Sequence, residues 1–243
     1  MKLISLNVEG DRHWKRIIPF LEKEKADVIC LQEVPEKDAT SLSKKFGMKN
    51  AFAPMALKRG EKWGVAIFSH SFLGEPRIED YYAPSGDLKE YDKNKKRNTI
   101  RQTLLAAHIQ CEGTTFPVQT THFTWTPDGL PDEGQREDMR ALLRALEEFP
   151  EAILCGDFNI PRGTNELYEK LAKKFTDAIP LSYASSLDLH IHRKGRHPEQ
   201  GPRLARFMVD YLFLTKAYRA KNVRLQNGVS DHMAIIADVV ALS

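Results

Sequence analysis

Ala152-Ile153-Leu154-Cys155-Gly156-Asp157-Phe158-Asn159 is an apolar run that ends abruptly in a carboxylate and a carboxamide. Its first four residues read as a short buried strand, with Asp157 and Asn159 at the C-terminal tip. In an extended backbone, residues i and i+2 point to the same side, so both polar groups would leave the tip together. Neither stabilises a core, and a buried unpaired carboxylate is costly. The tetrapeptide alone is ambiguous. Asp and Asn also open turns and cap helices, and Pro161 fits a plain strand-to-helix turn. The rest of the chain has to decide.

Outward from this run, strand and helix patterns alternate. Residues 3–8 read as a strand, and Trp14, Ile17, Ile18 and Leu21 follow at helical spacing. Residues 27–31 and 64–68 are β-like. Residues 103–109 and 116–122 suggest adjacent strands, with Glu112-Gly113 as the hairpin turn. Met139, Leu142, Leu143 and Leu146 mark an amphipathic helix after a Pro/Gly-rich loop at 127–134. A short helix is predicted at 166–173. A long polar loop rich in His and Arg follows at 180–202, and then strands at 207–214, 223–225 and 233–240. No repeat or linker composition interrupts the alternation. The expectation is one α/β domain spanning residues 1–243, with long loops as insertions that carry function.

Composition narrows the class without deciding it. The 243 residues are enough for one sizeable core, and 42% hydrophobic with 28% charged residues is ordinary for a globular protein. No apolar stretch approaches membrane-spanning length, so no stable membrane association is expected. The apolar part of the N-terminus is too short for a signal-peptide core. The three cysteines, Cys30, Cys111 and Cys155, sit in β-like apolar runs and suggest core packing, not a disulfide framework. A reducing, cytoplasmic setting is the expectation. The net charge of +3 permits a polyanionic partner without requiring one.

Acidic, amide and imidazole groups recur at the strand ends. Asn7 ends the first strand, Glu33 the second, and His122 the strand reading Thr120-Thr121-His122. Asp210 lies in Met208-Val209-Asp210-Tyr211-Leu212-Phe213, and Asp231-His232 precede the final strand. Each has a plain alternative: a turn for Asn7, a helix cap for Glu33, a satisfied partly buried imidazole for His122, a surface turn for Ser230-Asp231-His232. Their recurrence at one set of strand termini is how α/β enzymes build sites.

The chemistry these groups suit is phosphoester hydrolysis assisted by a hard divalent cation. A carboxylate such as Glu33 offers oxygen to Mg²⁺. A second carboxylate can orient and deprotonate the attacking water. Amides and an imidazolium can hold the non-bridging oxygens as charge builds up. Zinc fits less well, for there is no HExxH, no CxxC and no His pair at helical spacing. Phosphate-loop and GxSxG motifs are also missing from the sequence.

The ordered set LNVEG, LQEV, THF, GDFN, VDYLF and SDH resembles the endonuclease/exonuclease/phosphatase superfamily over essentially the whole chain, from Asn7 to His232. The resemblance implies a four-layer α/β sandwich of the DNase I-like kind, two mixed β-sheets packed face to face and flanked by helices. It also implies roles. Glu33 would be the main Mg²⁺ ligand, with Mn²⁺ as a substitute and with Asn7 beside it. Asp157 would orient or activate the water, and Asn159 would contact the phosphate. His232, supported by Asp210, would neutralise the phosphoryl oxygens. His122 would be a second phosphate-contacting imidazole, and Asp231 would complete the site near the metal. His122 stands where abasic-site endonucleases usually carry Tyr, so the chain is more similar to the DNase I and tyrosyl-DNA phosphodiesterase branches.

Basic residues flank this set. The stretch from Lys93 to Arg101 enters one strand, and Arg206 leads into the strand bearing Asp210. Arg97, Arg101 and Arg206 are candidates for tracking a phosphate backbone, His192 for a substrate-facing loop, and Trp125 for stacking on a base. Solvated loops and ordinary packing are the plain alternatives. The expectation is a monomeric nuclease or DNA-end-processing enzyme acting on nucleic acid. A phosphatase or phosphodiesterase for a small or lipid substrate (inositol phosphate, nucleotide, sphingomyelin) is the alternative. A binding module that kept the fold without the chemistry is the non-enzymatic one.

Overall fold

In a computed structural model, which describes residues 1–242, the alternation resolves into two six-stranded sheets. The first sheet holds β1 (Lys2–Asn7), β2 (Val28–Pro35), β3 (Lys49–Lys58), β4 (Glu61–Ser69), β11 (Tyr218–Gln226) and β12 (Ala234–Ala241), in the order β11-β12-β1-β2-β4-β3. The second holds β5 (Phe72–Tyr82), β6 (Gln102–Cys111), β7 (Thr114–His122), β8 (Ile153–Asp157), β9 (Thr176–Asp177) and β10 (Asp210–Leu214), in the order β5-β6-β7-β8-β10-β9. Each is mixed: β1–β2 and β7–β8 pair parallel, and the other pairs run antiparallel.

Side-chain alternation builds the layers. Along β2, Val28 and Cys30 face a core shared with Leu105, Val118, Leu154 and Leu212 of the second sheet. Ile29 and Leu31 face the other way, onto Ile17 and Leu21 of α1 (Trp14–Glu24) and Ala39 and Leu42 of α2 (Glu36–Phe46). On the second sheet, α3 (Glu133–Ala145) buries Met139 and Leu142. Its start is capped by Asp132, whose side chain accepts from the Gln135 N–H at 2.7 Å. Short helices α4 (Leu167–Ala172) and α5 (Gln200–Leu204) complete the flanks. The resulting order, helices, sheet, sheet, helices, is the four-layer sandwich expected.

The predicted hairpin forms where Glu112 and Gly113 both take positive φ, 49° and 79°, matching the twist of β6 and β7. Two differences bear on the site. Asp210 is the first residue of β10, not an interior one, so it stands at the sheet edge. Asn159 lies beyond β8 with φ 54°, so it reaches the side of Asp157 by a left-handed turn and not by strand alternation.

Candidate active site

Strand register sets the first row of polar groups. His122, Asp157 and Asp210 are direct partners across the ends of β7, β8 and β10. Gly156 makes this row possible. Its φ is 143°, and a Cβ there would meet the Thr121 carbonyl oxygen at 2.0 Å. Only glycine lets β7 and β8 pair this closely one residue before the carboxylate.

The first sheet supplies the facing groups. Asn7 ends β1, and its Nδ2 donates to Asp157 Oδ2 at 3.0 Å and reaches Glu33 Oε1 at 3.4 Å. Glu33 sits at a break in β2–β4 register, between Leu31 and Val34, with φ 59°. A bulge of this kind re-aims one side chain, and it turns Glu33 toward the cleft while Gln32 stays between the sheets, on Thr120 at 2.9 Å. Non-glycine residues in left-handed backbone cost about 1–3 kcal/mol and persist where the surroundings over-determine them.

The imidazoles complete the cluster. His232 Nδ1 lies 2.8 Å from Asp210 Oδ2, and its Nε2 lies 3.8 Å from Asp157 Oδ2. Burial opposes the charged ring, but Asp210 and Asp157 together hold its pKa well above the ordinary histidine value. His122 Nε2 faces Asn159 Nδ2 at 3.3 Å, Asp157 Oδ2 at 3.5 Å and Glu33 Oε1 at 3.7 Å. Its pKa is also raised, with burial opposing and Asp157 and Glu33 prevailing. Asp157 is lowered, because His232, His122 and Asn7 outweigh its burial. Asn159 is anchored by its own N–H on Asp157 Oδ1 at 3.0 Å and by its Nδ2 on the Phe123 carbonyl at 2.9 Å.

Glu33, His122, Asp157, Asn159 and His232 line a cleft of about 1260 Å³, with Asn7 and Asp210 behind them. Of the basic and aromatic candidates, Arg97, Trp125 and His192 line it, whereas Arg101 and Arg206 lie elsewhere. The Arg97 guanidinium is held by Asp138 at 2.9 Å and Glu137 at 3.0 Å, and stacks on Tyr82 at 4.1 Å. Arg101 pairs with Asp80 at 3.2 Å. His192 is neutral at pH 7, its pKa pushed down to about 4 by burial and by the charge of His232. Trp125 is nearly half exposed on the cleft wall.

Several contributors escaped the sequence reading. Ser186 is fully buried. Its Oγ donates to Asp210 Oδ2 at 2.6 Å and accepts from the Val209 and Asp210 N–H groups. Glu9 and His13 lie with Asp231, their ligand atoms all within 4.8 Å of one another. Lys58 Nζ stands 3.6 Å from Glu33 Oε2 and over the Trp63 ring. Ser186, Glu9 and His13 do not end an apolar strand, the pattern that marks Asn7, Glu33, His122 and Asp157, and Lys58 ends β3 as a cation at an exposed-looking turn.

The sequence profile of the Endonuclease/Exonuclease/phosphatase family matches residues 4–232. The chain belongs to the endonuclease/exonuclease/phosphatase family. Members of the family hydrolyse phosphoester bonds. No curated protein is matched. Among solved structures, a functionally unknown conserved protein from Enterococcus faecalis is similar at 17% identity and TM-score 0.74, with 100% of both chains covered. A mannosyl-6-phosphatase from Bacteroides thetaiotaomicron is similar at 15% identity and TM-score 0.68, with 99% of each chain covered. A humanized D. rerio TDP2 is similar at 16% identity and TM-score 0.68, again with 99% of each covered. At these identities the likeness is one of fold.

The donor set fits the divalent cation on which this family generally depends. Glu33, Asp231 and Glu9 offer hard oxygens on the first-sheet side of the cleft, whereas Asn7 turns its Nδ2 toward Glu33 and its Oδ1 accepts from the Glu9 N–H. Such an ion, when bound, would neutralise phosphoryl charge. A carboxylate held ionised and fixed by an amide, as Asp157 is by Asn7, can orient water and take its proton. A charged imidazole backed by a carboxylate, as His232 is by Asp210, can stabilise oxygens on which charge accumulates.

Proposed function

We propose that this family member is a Mg²⁺-dependent phosphodiesterase acting on nucleic acid, as a nuclease or a DNA-end-processing enzyme, with Mn²⁺ able to substitute. The extent of the cleft and the charge of its walls carry the reading. At about 1260 Å³ it exceeds what one phosphate needs. Lys93, Arg193 and Lys194 line it, and among the described residues none has a carboxylate within 4.0 Å. Cations without protein counter-ions beside an exposed aromatic suit a phosphate backbone with an unstacked base.

A second reading, hydrolysis of a small phosphoester, draws on Arg203, which bonds Asp128 at 2.9 Å and joins two stretches of the same wall. The deciding experiment is a Mg²⁺-dependent panel of single- and double-stranded DNA, RNA, 5′-tyrosyl DNA, abasic DNA, inositol phosphates, a sugar phosphate and a sphingomyelin analogue. Cleavage of at least one nucleic acid, abolished by EDTA, supports the proposal. Turnover confined to the sugar, inositol or lipid substrates overturns it.

A further inference from the structure

The long loop between β9 and α5 meets the site as a short extended segment. Leu187 pairs antiparallel with His232. The Met233 N–H donates to the Ser186 carbonyl at 2.7 Å, and the Asp188 N–H donates to the Asp231 carbonyl at 2.8 Å. The backbone is therefore held on both sides of His232. At the end of this segment, Asp188 uses every polar group it has on the backbone of other residues. Its carbonyl accepts from the N–H groups of Ile191 and His192, at 3.1 and 2.7 Å. Its Oδ1 accepts from the His190 N–H at 2.9 Å, and its Oδ2 from the Gly228 N–H at 2.6 Å.

The His190 bond is a local turn of the kind aspartates commonly make in loops. The Gly228 bond is different. It joins residues forty apart in sequence, and Asp188 is only 2% exposed. Burying a carboxylate is costly unless it is bonded, and the two N–H donors offset that cost with charge-assisted bonds. Their effect is to grip the β11–β12 connection at two points, Gly228 through the carboxylate and Asp231 through the Asp188 N–H. Val229 and Ser230, between those points, are both buried. The Asp231 side chain leaves from this fixed stretch, and its ligand oxygen lies within 4.8 Å of those of Glu9 and His13. Asp188 itself stands behind the cleft wall that Leu187, Asp231 and His232 line.

We infer that Asp188 is a positioning residue for the cation site. By pinning the connection at Gly228 and at Asp231 it sets the Asp231 carboxylate beside Glu9, and so raises the affinity for a divalent cation that it does not touch. The inference rests on the cation-dependent phosphoesterase reading and deepens it, naming a residue that tunes the cation of that site. Groups that orient a metal ligand from behind typically carry about 10–100-fold in metal affinity.

The test is calorimetric titration of Mn²⁺ into the full chain at pH 7.5. Asp188→Asn keeps the side-chain volume and one acceptor oxygen, and turns an N–H group toward the other donor. Affinity in the folded variant falls at least about tenfold. Thr215→Val is the comparison. It removes the acceptor of the Ala152 N–H at the far end of β8 and β10, so it lowers Tm and leaves the affinity within about twofold of wild type. Asp188→Asn added to Asp231→Asn weakens binding by no more than about twofold further, because its effect passes through that carboxylate. A second measurement needs no variant. Coupling is reciprocal, so saturating Mg²⁺ slows hydrogen exchange at the Gly228 amide of the wild type by at least about tenfold. Unchanged affinity in folded Asp188→Asn, an equal loss in Thr215→Val, a full further loss in the double variant, or a Gly228 amide indifferent to Mg²⁺ overturns the positioning role. So does a wild type that binds neither ion. Phosphoester turnover alongside any of these results leaves the hydrolase reading standing. The expected affinities with no turnover of any phosphoester overturn the hydrolase reading alone.

Discussion

His232 Nδ1 lies 2.8 Å from Asp210 Oδ2, and both residues are buried at the sheet edge. Burial disfavours the imidazolium, yet the paired carboxylate and the nearby Asp157 hold its pKa well above 6.5. The folded value exceeds the unfolded one. Protonation of His232 therefore contributes its full stability below about pH 6.5, while Asp210 stays ionised, and that contribution is lost as pH rises through the folded value; burial raises the Asp210 pKa, so the pair also weakens on the acid side. If the charged ring serves catalysis, its deprotonation gives kcat/KM an alkaline limb above neutral pH. In Asp210→Asn that limb moves down by about 1–2 pH units, and kcat/KM at pH 7.5 drops about 100-fold. A pH–rate profile of both proteins checks this, and an unmoved limb contradicts it.

Asp231 is expected to make cation binding pH-dependent. Its carboxyl is pushed up to about 6 by burial, with His232 opposing and Glu9 and Glu33 adding to the rise. A bound cation must displace that proton, so affinity weakens as pH falls below about 6. Calorimetric titration of Mn²⁺ at pH 5.5 and 7.5 should give at least about tenfold tighter binding at the higher pH. Asp231→Asn should flatten the difference.

Gly156 combines a backbone clash with a positive φ that a methyl group cannot relieve. Alanine there would place Cβ 2.0 Å from the Thr121 carbonyl oxygen and would have to adopt φ 143°. Both obstacles are backbone, so Gly156→Ala is expected to cost about 3 kcal/mol or more. Gly228→Ala is the comparison. It has φ 80° with nothing within 4 Å of the added Cβ, so its cost is about 1 kcal/mol. Urea unfolding of the two variants measures the contrast.

Much of this is legible because the polar groups of the cleft sit where apolar strands stop. Asn7, Glu33, His122 and Asp157 each follow a hydrophobic run, and the run itself announces the sheet. Helix α2 was not seen, since only Ala39 and Leu42 are buried in it and the polar residues between give no clear period. Strand β5 was not seen because it is an edge strand with little burial and hence no alternation. Lys58, Trp63 and Tyr91 were illegible for another reason. Their meeting depends on residues 89–91 bonding to the end of β3, a pairing across about thirty residues of chain that no local pattern encodes. Arg97 shows the converse: it reads as a free cation in sequence and is an anchor for α3 in the fold.

Ser186 ties the long loop to the Asp210–His232 pair. Its hydroxyl bonds Asp210 Oδ2 and receives two buried N–H groups, at 3.1 and 3.0 Å. Ser186→Ala leaves those donors without partners, at a cost of about 2 kcal/mol. A denaturant midpoint indistinguishable from wild type would show that the loop does not depend on this contact.

Phosphoester hydrolysis by the Asp157–His232 cluster is checked by the initial rate on a 5′-phosphorylated oligonucleotide, measured for wild type and Asp157→Asn with Mg²⁺ and with EDTA. Asparagine keeps the shape of Asp157 and removes its charge. A Mg²⁺-dependent rate is expected in wild type, reduced about 1,000-fold or more in the variant. A folded Asp157→Asn protein that retains activity within tenfold of wild type would contradict it.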